Sequence, residues 1–223
     1  REMMNLEESI LSRRSIRSFL PDPVSRDTIR RIVECARWAP SWGNTQPWEI
    51  VIADADKAKQ LADAFEEEGK KGTAPRPDIK TPGTFPDIHK RRYVGLGTEL
   101  FTYMGIERDD KKARNQHYTN MYRFFGAPCV IYLFIDGEMN EPYSCLDIGS
   151  IGTTICYLAM KEGLGTIYLA ASMHFPDIVK STLGVPESKK LVIGIAIGHA
   201  HPTDKASLFR SQRAPLDEIL RFA

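Results

Sequence analysis

Apolar residues recur along this chain with two different periods, and the alternation between them outlines the fold. Leu6, Ile10 and Leu11 fall on one side of a short helix-like segment. Ser25-Arg26-Asp27-Thr28 reads as a helix start; Ile29, Ile32, Val33 and Ala36 follow at helical spacing, and the helix should stop before Pro40. Trp48 to Ala53 reads as a strand, and Asp54-Ala55-Asp56 caps a helix from about Lys57 to Glu68. Periodicity then lapses from Gly69 to Pro86, where Pro75, Pro77, Pro82 and Pro86 punctuate a loop too long for a simple connector. Such a loop is either a lid or an interaction arm. Helices are expected over Ile88–Met104 and Ala113–Phe125, so 69–125 reads as one helical lobe inserted into a single domain spanning 1–223.

The second half carries the strongest apolar runs. Pro128 to Ile135 is apolar and rich in β-branched residues, the pattern of a central strand. Ser144 to Lys161 is a long helix, apolar on nearly every face and rich in small residues. Burial on all sides in so small a chain points to a partner subunit covering one face. Thr166–Ala171 and Leu191–Gly198 are the remaining strands, Phe175–Leu183 is a short helix, and a final helical piece is expected at Leu216–Leu220. Strands interleaved with helices give an α+β or α/β sandwich.

Composition narrows the function. The 223 residues carry 30 Lys+Arg against 29 Asp+Glu, a net charge of +1, which argues against a nucleic-acid binder relying on bulk positive charge. Cys35, Cys129, Cys145 and Cys156 stand far apart with no CxxC pair, so buried reduced thiols and a cytoplasmic location are expected. The N-terminus has no signal-peptide pattern and no apolar run approaches a membrane span. His89, His117, His174, His199 and His201 share no ligand spacing, so no metal site is expected.

The candidate chemistry lies in three polar stretches. Arg13-Arg14-Ser15-Ile16-Arg17-Ser18 packs three arginines and two of the chain's serines beside one another, or three serines with Ser12. Guanidinium forks match phosphate oxygens bidentately, although a solvated helix end would look similar. Pro40-Ser41-Trp42-Gly43-Asn44-Thr45-Gln46-Pro47-Trp48 is a proline-bracketed loop dense in hydrogen-bonding groups. Trp42 is its best candidate for lining a pocket, whereas Trp38 and Trp48 read as packing. A second arginine-bearing stretch, Arg210-Ser211-Gln212-Arg213, lies near the C-terminus.

In their order and spacing SRRSIRSF, APSWGNTQPWEIVI, GLGTIYLA and the Gly198…Arg213 tail resemble the flavin-dependent nitroreductase family over the whole chain. The middle segment, with RPDIKTPGTFPDIHKRRYVGLG and FFGAP, is similar to the subgroup with a longer arm that includes nitrobenzoate reductases. The resemblance implies an α+β three-layer sandwich, a central mixed sheet flanked by helices, and an entwined homodimer with FMN at the subunit interface. By position, Arg13, Arg14, Ser15 and Arg17 would hold the phosphate, ribityl chain and pyrimidine edge of FMN, with Arg213 closing on the phosphate beside Arg210 or Ser211. Pro40, Ser41, Trp42 and Asn44 would reach the flavin of the other subunit, with Gln46 nearby. Leu169, Ala170 and Ala171 would lie along the isoalloxazine as strand residues, one of them offering a backbone N–H near N5. Some family members carry an acidic residue where Ala170 stands.

His117 and Tyr118 are candidate substrate contacts, although both also suit an ordinary helix face. The implied activity is reduction of nitroaromatics, quinones or similar conjugated electrophiles by NADH or NADPH. The rivals are another acceptor on the same fold (enone reduction or dehalogenation), a flavin-binding sensor without turnover, and an FMN-free scaffold. No catalytic side chain is needed, because the flavin carries the chemistry.

Overall fold

In the computed structural model, which describes residues 5–223, four strands form one sheet in the order β1-β2-β4-β3. They are β1 (Trp48–Ala53), β2 (Cys129–Asp136), β3 (Gly165–Leu169) and β4 (Lys189–Gly198). All three pairings are antiparallel, and the parallel component expected of a mixed sheet is the isolated Ser15–Thr166 bridge. Helices α1 (Leu6–Ser12), α2 (Arg26–Ala36), α3 (Ala55–Lys71), α4 (Asp87–Met104), α5 (Lys111–Tyr122), α6 (Glu141–Lys161), α7 (Pro176–Leu183) and α8 (Lys205–Leu208) complete the α+β architecture.

β2 shows why the sheet is covered on both faces. Successive side chains point to opposite sides. Val130, Tyr132 and Phe134 enter one core with Leu61 and Phe65 of α3 and Val179 of α7. Ile131, Leu133 and Ile135 enter the other with Ile29 and Ile32 of α2 and Ile148, Ile151 and Ile155 of α6. A continuous apolar run therefore becomes the middle of a three-layer sandwich.

Several expected boundaries move, each for a physical reason. The 57–68 helix extends to 55–71 and ends on Gly72 in the left-handed conformation (φ 70°). Helix α6 starts three residues early, where the Tyr143 N–H donates to the Asn140 side chain at 3.2 Å. The 113–125 helix stops at Tyr122, because Phe124 and Phe125 both adopt left-handed φ (53° and 55°). That conformation is costly for bulky residues. Burial offsets it: Phe124 packs edge-on to Phe65 at 5.5 Å, and the Phe125 carbonyl accepts from Phe19 N–H at 3.1 Å. The end of the 69–125 segment is thus part of the main core, and α5 contributes Met121 and Tyr122 to it.

β3 also ends early. Ala170 and Ala171 are not strand residues but open a 3-10 turn, Ala170–Met173. The turn fits because Gly194, paired with Leu169, has no side chain; a Cβ there would lie 2.3 Å from Ser172 Oγ. That hydroxyl instead donates to the Leu169 carbonyl at 2.6 Å.

Two surface expectations are corrected, and one face of α6 is left for the expected partner to cover. Trp38 is not packed but 81% exposed, since it follows the end of α2 with no element above it. Cys35 is exposed and Cys145 half-buried, leaving Cys129 and Cys156 as the buried thiols, all four free. Burial pushes the Cys129 thiol up to about 12, which keeps it protonated and inert. Within one chain α6 is buried on one face only, while Tyr143, Leu146 and Gly149 stay exposed. Among the described residues no helix is long and apolar enough to cross a membrane, and no His, Cys, Asp and Glu cluster could hold a metal.

Candidate functional site

The site is built from the two ends of the chain. Asn5 and Glu8 form a reciprocal capping box that starts α1, and the helix ends at Arg13, which is extended (ψ 128°). The chain then runs beside β3: Ser15 bridges Thr166, and the Ile16 N–H donates to the Thr166 carbonyl at 3.0 Å. Ile16 points into the core against Gly165, where a Cβ would sit 2.4 Å from Ile16 Cγ1. Extended alternation leaves Ser15 and Arg17 directed away from that core.

The C-terminal segment returns to brace this turn. Asp204 caps α8 by accepting from Ala206 N–H at 2.8 Å. Buried Ser207 makes three contacts: its hydroxyl accepts from Arg17 N–H at 3.2 Å and donates to the Ser18 carbonyl at 3.0 Å, and its carbonyl accepts from Arg14 Nε at 2.7 Å. Phe209 lies under the Arg17 guanidinium, 5.9 Å from ring centre to Cζ. Arg210 donates to the Leu11 carbonyl. Arg213 is folded over its own backbone, donating to Ser211 Oγ at 2.9 Å and to the Gln212 carbonyl at 3.0 Å.

The result is a small pocket lined by Arg13, Arg14, Ser15, Arg17, Phe209, Arg210, Ser211 and Arg213. Five guanidinium groups face it, and no carboxylate lines it. Among the described residues none of the five forms an ion pair. Partial burial pushes the Arg17 pKa below its ordinary value, so a counter-charge is worth most there. Such a pocket is complementary to an anion.

Arg17 also lines a second cavity of about 310 Å³ with Ser18, His117, Asn120, Arg123 and Asp204. His117 is 7% exposed and its ring meets Phe101 at 5.2 Å and Phe125 at 5.6 Å. Burial, then the Arg17 charge, pushes its pKa down, so the imidazole facing Arg17 is neutral at neutral pH. His117 therefore belongs to the inner cavity and not to an open helix face, where Tyr118 alone of the pair stands, 49% exposed. Arg123 is held by Glu66 at 2.6 Å and Asp63 at 3.1 Å. Asn120, Arg123, Ser207 and Phe209 were not singled out from the sequence. The first two lie on and just after an unremarkable polar helix, and the others declare themselves only through contacts about 190 positions away.

The loop at 40–46 lies elsewhere. Trp42 N–H donates at 3.1 Å to Oδ1 of Asp147, a buried residue of α6, and the Trp42 ring meets Tyr143 at 5.8 Å. Gly43, Asn44 and Gln46 all have positive φ (56°, 57° and 48°), and the loop is tied internally by Gln46 N–H to Ser41 Oγ at 3.0 Å. Pro40, Trp42, Asn44 and Gln46 are exposed, and no loop residue lines the arginine pocket of its own chain. At the end of β3 the Leu169 and Ala171 side chains are buried, and Ala170 alone faces out.

Comparison with known proteins gives the same picture from outside. Residues 10–199 match the model of the nitroreductase family. The solved FMN-dependent nitroreductase NfnB from Mycobacterium smegmatis, in complex with NADPH, superposes with a TM-score of 0.91 at 31% identity over 97% of each chain. A 4-nitrobenzoate reductase of Pseudomonas putida is 30% identical over 92% of this chain and 88% of its own length. An NADH dehydrogenase of Thermus thermophilus is 44% identical over 98% of this chain and 96% of its own. Fold and sequence agree, and the chain belongs to the nitroreductase family.

Proposed function

We propose that the protein is an FMN-dependent NAD(P)H oxidoreductase that reduces nitroaromatics, quinones or similar conjugated electrophiles. The observation that carries this reading is the five-arginine pocket without a carboxylate, which shares Arg17 with a neighbouring polar cavity. A phosphate-bearing cofactor with a polar ring edge fits that sequence of environments. Arg13, Arg14, Arg210 and Arg213, with Ser15 and Ser211, would hold the phosphate through charge-assisted hydrogen bonds. Arg17 would stand at the pyrimidine edge with His117 and Asn120 behind it, where a fixed positive charge stabilises negative charge developing on the ring. When bound, FMN accepts a hydride from the nicotinamide and passes it to the acceptor. The first N–H groups of a helical turn have no partner within it. The turn opening at Ala170 would therefore present a backbone donor beside the ring, and its methyl side chain would leave the face open.

The loop at 40–46 serves this site from a second copy of the chain. Its exposed Trp42 (64%), against Tyr143 and with Leu146 of α6 (69%), makes an apolar surface that a homodimer would cover. Free cysteines suit a reducing, cytoplasmic compartment. Two results are expected of the FMN-loaded protein. It sediments as a dimer at submicromolar concentration, and steady-state rates with NADPH and a nitroaromatic give the parallel double-reciprocal lines of a ping-pong mechanism. A loaded monomer contradicts the shared site, and intersecting lines contradict alternate occupancy of one open face.

A further inference from the structure

The relatives divide over the electron donor, one being solved with NADPH and another named for NADH. A cleft of about 780 Å³ between α4 and the C-terminal tail bears on that choice. It shares Ser211 and Arg213 with the arginine pocket, so the two adjoin. On the α4 side its wall is a single helical stripe, Ile88, Arg91, Arg92, Gly95, Leu96 and Glu99. The volume suits a nucleotide rather than a single ring.

The charges in the cleft are unequally engaged. Arg92 is paired with Glu218 of the tail at 2.6 Å. Arg91 is exposed, pairs with no carboxylate among the described residues, and lines this cleft and a neighbouring one. Between them and Leu96 stands Gly95, one of the poorest residues for a helix interior. A Cβ at Gly95 would meet nothing within 4 Å, so packing inside the chain does not demand the glycine. Its absence of side chain keeps the middle of the cleft floor clear, flanked by Ile88 and Leu96 as apolar surface for a base.

We infer that this cleft takes the adenosine 2′-phosphate half of NADPH, with Arg91 reading the 2′-phosphate and Arg213 marking the end that leads to the flavin. The inference rests on the reading that the protein accepts a nicotinamide donor. Arg91 is then a specificity-determining residue: its bidentate fork has a dianion to bind in NADPH and only a hydroxyl in NADH.

The test uses the FMN-loaded protein. The ratio of kcat/KM for NADPH to that for NADH is expected to exceed about 10, and Arg91→Ala to lower this ratio by about 10- to 100-fold, the worth of one or two charge-assisted hydrogen bonds. Arg91→Lys should fall between. A wild-type ratio near one, or a ratio that Arg91→Ala leaves where it was, overturns the assignment. Calorimetry separates its failure from failure of the oxidoreductase reading. Even if neither nicotinamide reduces the flavin, adenosine 2′,5′-bisphosphate must bind at least about 10-fold more tightly than 5′-AMP, and Arg91→Ala must remove the difference. Equal binding of the two, or no binding because a second copy of the chain fills the cleft, refutes it.

Discussion

Replacing Arg14 and Arg213 together by alanine is expected to weaken FMN binding by about two to four orders of magnitude. On the proposed reading each guanidinium would contribute charge-assisted hydrogen bonding to the phosphate, about 1.5–3 kcal/mol per residue. The single variants should each lose about 10- to 100-fold, and they should not be equivalent. Arg14 also donates to the Ser207 carbonyl at 2.7 Å, so its loss loosens the segment that positions Arg17. Arg213 bonds only to its own neighbours, and its removal should affect the ligand alone. Arg213→Lys keeps the charge and loses the fork, so an intermediate loss is expected. Arg26→Ala, whose side chain is 91% exposed and paired with Asp54 far from the pocket, is the control and should change affinity less than twofold. Equilibrium titration of the apoprotein with FMN measures all five variants. Unchanged affinity in both single variants would mean that the pocket holds something other than the phosphate.

A comparably large effect, on stability instead of binding, is expected at Asp78. This residue lies in the irregular stretch between α3 and α4, and its Oδ2 accepts from the Leu191 N–H at 2.8 Å beside the β-bulge of β4. The same oxygen pairs with Lys180 Nζ at 3.0 Å, and the Lys180 side chain is only 5% exposed. Asp78→Ala therefore leaves a buried ammonium without its near partner and a strand N–H without an acceptor. Breaking a buried pair from one side costs about 3–5 kcal/mol. The lower end, about 3 kcal/mol, is expected because Glu187 still approaches Lys180 at 3.7 Å. In a chain of this size that corresponds to a fall in Tm of about 6–12 °C at fixed FMN concentration. Glu187→Ala, whose side chain is 78% exposed, should cost less than about 1 kcal/mol. Equal and small effects of the two variants would show that Asp78 does not pin the arm to the sheet.

How much of this was legible in the residues depended on how local its cause was. The β2 run from Cys129 to Ile135 announces a strand buried on both faces, and the structure buries it so. The same holds for the α2 spacing of Ile29, Ile32 and Ala36. The turn at Ala170 was not legible, because it depends on a glycine in the neighbouring strand making room for Ser172. Nor was the break at Phe124-Phe125, where two bulky residues adopt a conformation they disfavour locally and packing against Phe65 and Phe19 prevails. The N-terminal arginines could be read as a phosphate clamp or as a solvated helix end. Tertiary structure brings Arg210 and Arg213 to the same pocket and leaves out any carboxylate, which favours the clamp reading proposed above. His117 illustrates the reverse: a polar residue on a polar helix reads as surface, and only the fold turns it toward Arg17.

The most direct test of the central claim is an anaerobic stopped-flow experiment on the purified, FMN-loaded protein. On mixing with NADPH the flavin absorbance near 450 nm, the ordinary band of oxidised flavin, is expected to bleach within about seconds, the range of typical turnover. Adding a nitroaromatic or a quinone should then restore it. A flavin that stays oxidised with both NADPH and NADH would contradict the account, leaving a cofactor held by the arginine pocket but not reduced there.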